Sequence, residues 1–187
     1  KEGDYQQRQK SEGKKEFYRF INPGNAEFPQ QIELFARKPD LIILGNDVHL
    51  TPIPLNDDLS SLSAILLDED YYHFVIKNSY FEDGLRVANM ETLICLKSLA
   101  FLEISKRKEN GVQIDEKQVR KHKADIFRLT SLLPKSSEFE LPEIIRANVN
   151  QFAALISDDL PDKAIFKEMG LGNTDPNSVF EQFKKSF

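Results

Sequence analysis

An α+β chain is predicted, with a mixed β-sheet in the N-terminal half followed by a helical C-terminal half. Two observations carry this. Period-two alternation and turn residues dominate up to about Leu85, whereas after Asn89 apolar residues recur at three and four positions. No internal repeat or low-complexity tract interrupts either regime. A chain of 187 residues fits one medium domain, or a domain with a helical appendage, so residues 1–88 are assigned to the sheet and 89–187 to helices packed on it.

The sheet half opens with Tyr5 to Lys10 and Glu16 to Ile21, which flank the turn-like Ser11-Glu12-Gly13-Lys14 and predict a polar hairpin. Asn22-Pro23-Gly24-Asn25 breaks the chain. Gln31 to Phe35 alternates and predicts one strand, with Ile32 and Leu34 on one face and Glu33 and Phe35 on the other. Leu41 to Leu44 and His49 to Ile53 are predicted as two short strands around Gly45-Asn46-Asp47, the second confined to an edge by Pro52 and Pro54. Asp57 or Asp58 could cap a helical turn. Ser60 to Leu67 is apolar enough to be either helix or strand. Asp68 to Asp70 suit a helix start, which favours a helix over Tyr71 to Ile76. Asp83-Gly84 predicts a turn or bulge before Leu85-Arg86-Val87.

In the helical half, Asn89 is a good N-cap and Asn110-Gly111 a left-handed stop, so a helix spans the interval. Its centre is apolar nearly all round and predicts burial on more than one face. A second helix starts from the capping residue Asp115 and runs to Leu133, where Pro134 stops it. Val119, His122, Ile126, Leu129 and Leu133 form its apolar stripe, which puts His122 on the packed side. Three further helices are predicted: Leu141 to Leu155 with Pro142 in the first turn, Pro161 to Gly170, and Pro176 to Phe187 with Val179, Phe180 and Phe183 on one side.

Composition excludes several function classes. There are 30 acidic against 25 basic residues, so no broad basic surface for nucleic acid follows from the totals, and Lys14-Lys15 and Arg120 to Lys123 are local basic clusters. Cys95 is the sole cysteine, which leaves no intrachain disulfide and no cysteine cluster for zinc. His49, His73 and His122 are scattered, with no HExxH. The sequence has no P-loop, no Rossmann glycine fingerprint and no Gly-x-Ser-x-Gly elbow. The lack of a secretory segment or long apolar span predicts a cytoplasmic protein with no membrane partner.

Charge beside the apolar stripes is the remaining signal. Lys97 is the only charge between Glu91 and Glu103. Its stem could lie along the core while the ammonium reaches water, or the ammonium could bind an anion. Lys121, Asp125 and Arg128 fall at i, i+4 and i+7, as a solvated ion-pair ladder or one side of a site would.

The order of these segments carries a resemblance. Glu33 on its strand, Leu50-Thr51-Pro52-Ile53-Pro54, Lys97, and Lys121-His122-Lys123-Ala124-Asp125-Ile126 together resemble AbiEii/AbiGii-type nucleotidyltransferase-like proteins, over roughly Tyr5 to Leu133. The resemblance implies the polymerase-β nucleotidyltransferase superfold and its Mg²⁺-dependent transfer of a nucleotide from an NTP to a protein or RNA acceptor. Carboxylates hold such an ion on the phosphates, and a nearby lysine offsets their charge. Carried over, Glu33 stands at the third metal-binding carboxylate and Lys97 at the lysine of the first long helix. Lys121 and Asp125 match the outer residues of Lys-Asp-x-x-Asp, with Asp125 orienting Lys121 and His122 replacing the inner aspartate.

Glu33, Lys97, Lys121 and Asp125 are thus the candidate catalytic residues, Lys97, Lys121 and Arg128 the nucleotide-binding ones, and Glu33 the metal ligand. A Gly-Ser loop and an Asp-x-Asp strand do not occur before Glu33. The resemblance therefore places them upstream of Lys1 and implies that this chain alone is inactive. It also implies a toxin–antitoxin setting with an antitoxin-like partner. The alternative is a noncatalytic protein-interaction module that keeps a degenerate form of the fold.

Overall fold

The computed structural model describes residues 3–9, 15–37, 50–52, 63–114 and 116–187, and it is a mixed α+β structure. The chain divides into two compact units, Lys1–Tyr72 and His73–Phe187, so the boundary falls inside a helix and places the last pair of strands with the helices.

In the first unit, β1 (Gln6–Gln9) and β2 (Lys15–Ile21) form the expected antiparallel hairpin, with an irregularity between Gln7 and Arg8. Its turn lies outside the described residues. β3 (Gln31–Glu33) adds to β2 and completes an antiparallel sheet in the order β1-β2-β3. The single strand predicted over Gln31 to Phe35 is in fact two. β4 (Phe35–Arg37) begins one residue after β3 but pairs in another sheet, parallel to β6 (Ser63–Leu67). β5 (Leu50–Pro52) runs antiparallel on the other side of β6, at an edge of this sheet, where a proline without an N–H is tolerated. This second sheet is mixed. The choice between helix and strand for Ser60 to Leu67 resolves as strand, because the segment is paired on both sides. The expectations for Leu41 to Leu44 and for Asp57 and Asp58 fall outside the described residues.

α1 (Glu69–Lys77) starts where Asp68 accepts the Tyr71 amide proton at 2.8 Å. Asp68 to Asp70 thus open the helix expected over Tyr71 to Ile76. β7 (Ser79–Glu82) and β8 (Leu85–Ala88) then form a hairpin about Asp83-Gly84. Both turn residues have positive φ, 48° and 79°, the handedness that matches a two-residue hairpin to strand twist.

The second unit is built around α2 (Met90–Glu109). Asn89 caps it by accepting from the Thr92 amide, and Gly111 follows its end with φ 79°. α2 packs against both α3 (Glu116–Leu132) and α4 (Glu143–Ile156), as its all-round apolar centre requires. Asp115, the expected cap of α3, lies outside the described residues. At the other end of α3, Gln182 of α5 (Pro176–Ser186) donates to the Leu133 carbonyl at 2.8 Å and satisfies a group that Pro134 leaves without a helical successor. The predicted helix after Pro161 is a 3-10 helix, Lys163–Met169, capped by Asp162 and closed by Gly170 at φ 72°.

Aromatic rings fill the core. Phe152 of α4 meets Phe101 of α2 at 5.1 Å and Phe183 of α5 at 5.5 Å, both edge to face. Phe127 of α3 stacks on Phe180 of α5 at 6.3 Å. Val179, Phe180 and Phe183 are all buried, the face expected from their spacing. Each fully buried large apolar side chain contributes about 1.5–3 kcal/mol relative to exposure, so this cluster positions the helices that carry the charged residues.

Candidate functional site

α2 and α3 are joined by a short connection and are tied at two levels. Lys108 meets Glu116 at 2.6 Å next to the connection, and Lys97 meets Asp125 further from it, so the two helices run antiparallel. That geometry turns a separation of 28 residues into a contact. Lys97 Nζ donates to Asp125 Oδ2 at 2.7 Å.

The neighbours on α2 explain why Lys97 points there. Ile94, Cys95, Ser98 and Phe101 are buried, while Lys97 lies between them at intermediate depth with its side chain 28% exposed. Its stem is therefore packed while the ammonium stays at the rim. Asp125 brings its other oxygen, Oδ1, to within 3.5 Å of Arg128 Nη1, one helical turn on. Arg128 is fixed independently, because its Nε donates to the Ile165 carbonyl of the 3-10 helix at 2.9 Å. One carboxylate is thus bridged by an ammonium from α2 and a guanidinium from α3. The three groups carry a net charge of one positive unit, partly open to solvent.

The remaining candidates are placed differently. Lys121 is exposed, and the carboxylate expected to orient it is engaged by Lys97 and Arg128 instead. His122 is half-buried, in keeping with the packed side of α3. Glu33 belongs to the first unit, where it sits opposite Arg19 in the β2–β3 register, accepts from the Arg19 guanidinium and takes a further bond from Gln31 Nε2 at 3.0 Å. The carboxylate offered as a metal ligand is therefore part of a cross-strand ion pair. Among the described residues no group of three or more His, Cys, Asp or Glu is arranged to hold a metal ion. The donor set for Mg²⁺ implied by the resemblance is not assembled by them.

By sequence alone Lys123 belongs to a basic cluster with Arg120 and Lys121. In the structure it is buried at 7% exposure, and its ammonium meets both the Asp159 carboxylate and the Asp159 carbonyl at 2.6 Å. A signal for this existed. Lys123, Phe127 and Thr130 recur at four and three residues, and all are buried. The cluster thereby loses one of its three cations as a surface charge.

Two further features carry no chemistry of this kind. Burial pushes the Cys95 thiol up to about 12, with the charge of Glu91 adding to the effect, so it is no nucleophile near neutral pH. An open concavity of about 380 Å³ is lined by Gly170, Leu171, Gly172, Asn173 and Thr174, none of them ionisable. No helix among the described residues is long and apolar enough to cross a membrane. No protein-family model matches the chain, and comparison with curated proteins and with solved structures likewise finds no match.

Proposed function

We propose that this chain is a nucleotidyltransferase-like protein, and that its α2–α3 pair supplies the phosphate-binding side of a site for transferring a nucleotide from an NTP to a protein or RNA hydroxyl. One observation supports the reading. Lys97 and Asp125, which the resemblance assigns to one site, lie on different helices and meet at 2.7 Å. Lys97 brings an ammonium to a partly dry rim, where a charge acts more strongly on a phosphate than it would in bulk water. Arg128 adds a second positive charge beside it. The described residues hold no carboxylate set for Mg²⁺, so the reading is confined to phosphate recognition and routes no step through the metal.

Calorimetric titration of the chain with ATP and with GTP, each with Mg²⁺, tests it. Saturable binding that disappears in Lys97→Ala supports the assignment, and binding unchanged by that substitution removes Lys97 from the site. A second reading, a noncatalytic protein-interaction module, draws on the same pair seen differently: the charge of Lys97 is already answered by Asp125, as in a tie between helices. It predicts no nucleotide binding by the wild type, with Lys97→Ala lowering only stability.

A further inference from the structure

β7 and β8 form a sheet of two strands, and among the described residues neither outer edge pairs with a further strand. Such a hairpin is marginal by itself, and an open edge is a template for another chain. The ladder shows which groups lie on that edge. The two-residue turn makes Glu82 and Leu85 a hydrogen-bonded pair, Tyr80 and Val87 are the next, and Asn89 donates to the Asn78 carbonyl at 3.2 Å in the same alternation. The backbone N–H and C=O groups of Ser79 and Phe81 therefore point away from β8.

The side chains along this edge are open as well. Phe81 is 68% exposed, Tyr80 51%, and Ile76 near the end of α1 42%. Tyr80 and Phe81 are consecutive in the strand, so one aromatic ring stands on each face. The Arg86 guanidinium lies 4.5 Å from the centre of the Phe81 ring and is held there by donating to the Ile76 carbonyl and to Ser79 Oγ. The usual guards of an edge are missing, since Ser79 to Glu82 contains no proline, no lysine and no bulge.

Charge selects the occupant. Lys77 ends α1 just before β7, Asp83 follows β7 in the turn, and both are exposed. A strand with a cation before its start and an anion past its end is complementary to itself when the second copy runs antiparallel. Outward groups must meet outward groups, so in the registers that overlap most of the strand Phe81 faces either Ser79 or Phe81 of the second copy. The first register brings Lys77 opposite Asp83 at both ends. The second sets Glu82 against Tyr80 and leaves Lys77 without an opposing anion.

We propose that β7 is a homodimerisation edge: it pairs antiparallel with β7 of a second copy, Tyr80 opposite Tyr80 and Phe81 opposite Ser79, joining two hairpins into a four-stranded sheet. Tyr80 then sits on the two-fold axis in a non-hydrogen-bonded pair, where facing side chains approach most closely. The overlap is short, so the dimer is weak and set by concentration. It uses none of the residues of the charged cluster on α2 and α3.

The test is sedimentation equilibrium of the full chain from about 1 μM to about 1 mM. The wild type is expected to pass from monomer to dimer over this range, whereas Phe81→Pro, which removes an outward N–H that β8 does not use, is expected to stay monomeric. A wild type that is monomeric throughout overturns the proposal and leaves the edge to a strand of another protein. A dimer that persists in Phe81→Pro, with its circular dichroism intact, overturns it too. Should that variant fail to fold, disulfide trapping decides, because Cys95 is buried and an added thiol is the one open to oxidation. Tyr80→Cys, which faces its own copy, is expected to form a linked dimer about tenfold faster than Phe81→Cys, which faces Ser79. Equal rates overturn the proposal.

Discussion

The Lys123 ammonium is buried, and the carboxylate of Asp159 that answers it stands in water: side-chain exposure is 9% for the lysine and 84% for the aspartate. The pair lies just beyond the end of α4, where carbonyls without helical partners favour a cation. Asp159→Asn is expected to destabilise the protein by about 1–2 kcal/mol, less than the ~3–5 kcal/mol of a fully buried pair, because the Asp159 carbonyl keeps its bond to the ammonium. Lys123→Met keeps the packed stem without the charge and should cost less than about 1 kcal/mol. Urea denaturation of both variants checks the ordering, and a larger loss in Lys123→Met would contradict it.

Alkaline pH should weaken the fold through Cys95. Its thiol is held protonated by burial and by Glu91, at about 12 against an ordinary 9.0. Between those values the unfolded chain gives up a proton that the native chain retains, so stability falls as pH rises. Melting temperatures from about pH 8 to about pH 10 should decline more steeply in the wild type than in Cys95→Ala, whose stability is lower but free of this titration. Native Cys95 should also resist alkylation until the helices open.

Acid acts through Asp175, the cap of α5. A hydrogen bond from the Asn177 side chain holds its carboxyl below the ordinary 3.8, helped by the amides of Asn177 and Ser178 and the Ser178 hydroxyl. A depressed value means the stabilisation is present above the unfolded-state value and is lost as pH falls through the folded-state one. Asp175→Ala should therefore lower the melting temperature near neutral pH, and the gap to the wild type should close in strong acid. A gap independent of pH would show that the charge contributes nothing to the cap.

The β7–β8 turn offers a test free of packing effects. A methyl group at Gly84 would meet nothing within 4 Å, yet φ there is 79°. Gly84→Ala is expected to cost about 1–2 kcal/mol, all of it backbone strain. Asp83→Asn, which tolerates the left-handed region equally well, should stay within about 0.5 kcal/mol. Thermal melts of the two variants measure the contrast directly.

Local signals were legible wherever local chemistry decides. Asn89, Gly111 and Gly170 mark helix ends because a capping carbonyl or a left-handed φ is needed at those positions. The turn at Asp83-Gly84 followed for the same reason. The strand through Leu34 was misjudged because alternation reports the pleat and not the partner: both sides of Leu34 are extended, but they pair with different strands. Lys123 falls one residue off the stripe of Val119, His122 and Ile126, and its partner Asp159 lies 36 residues away, so neither the spacing of that stripe nor the neighbourhood marks it. Lys97 and Asp125 were grouped by the order of the segments, whereas the bond between them depends on how two helices pair. Spacing within α3 pointed to Lys121, and the antiparallel neighbour supplied Lys97 instead.

The position of α2 has a consequence for how the second unit opens. Because this helix is covered by α3 on one side and α4 on another, neither neighbour can detach and leave it unprotected on both. Its central amides, around Ile94 to Phe101, are expected to be the slowest to exchange in the unit, which hydrogen exchange measures. α5 packs on α3 through Phe180 against Phe127 and reaches α4 through Phe183 against Phe152. Loss of α5 would bare Phe152 and Phe127 while leaving the Lys97 to Asp125 bond in place, separating failure of the core from failure of the charged cluster in time.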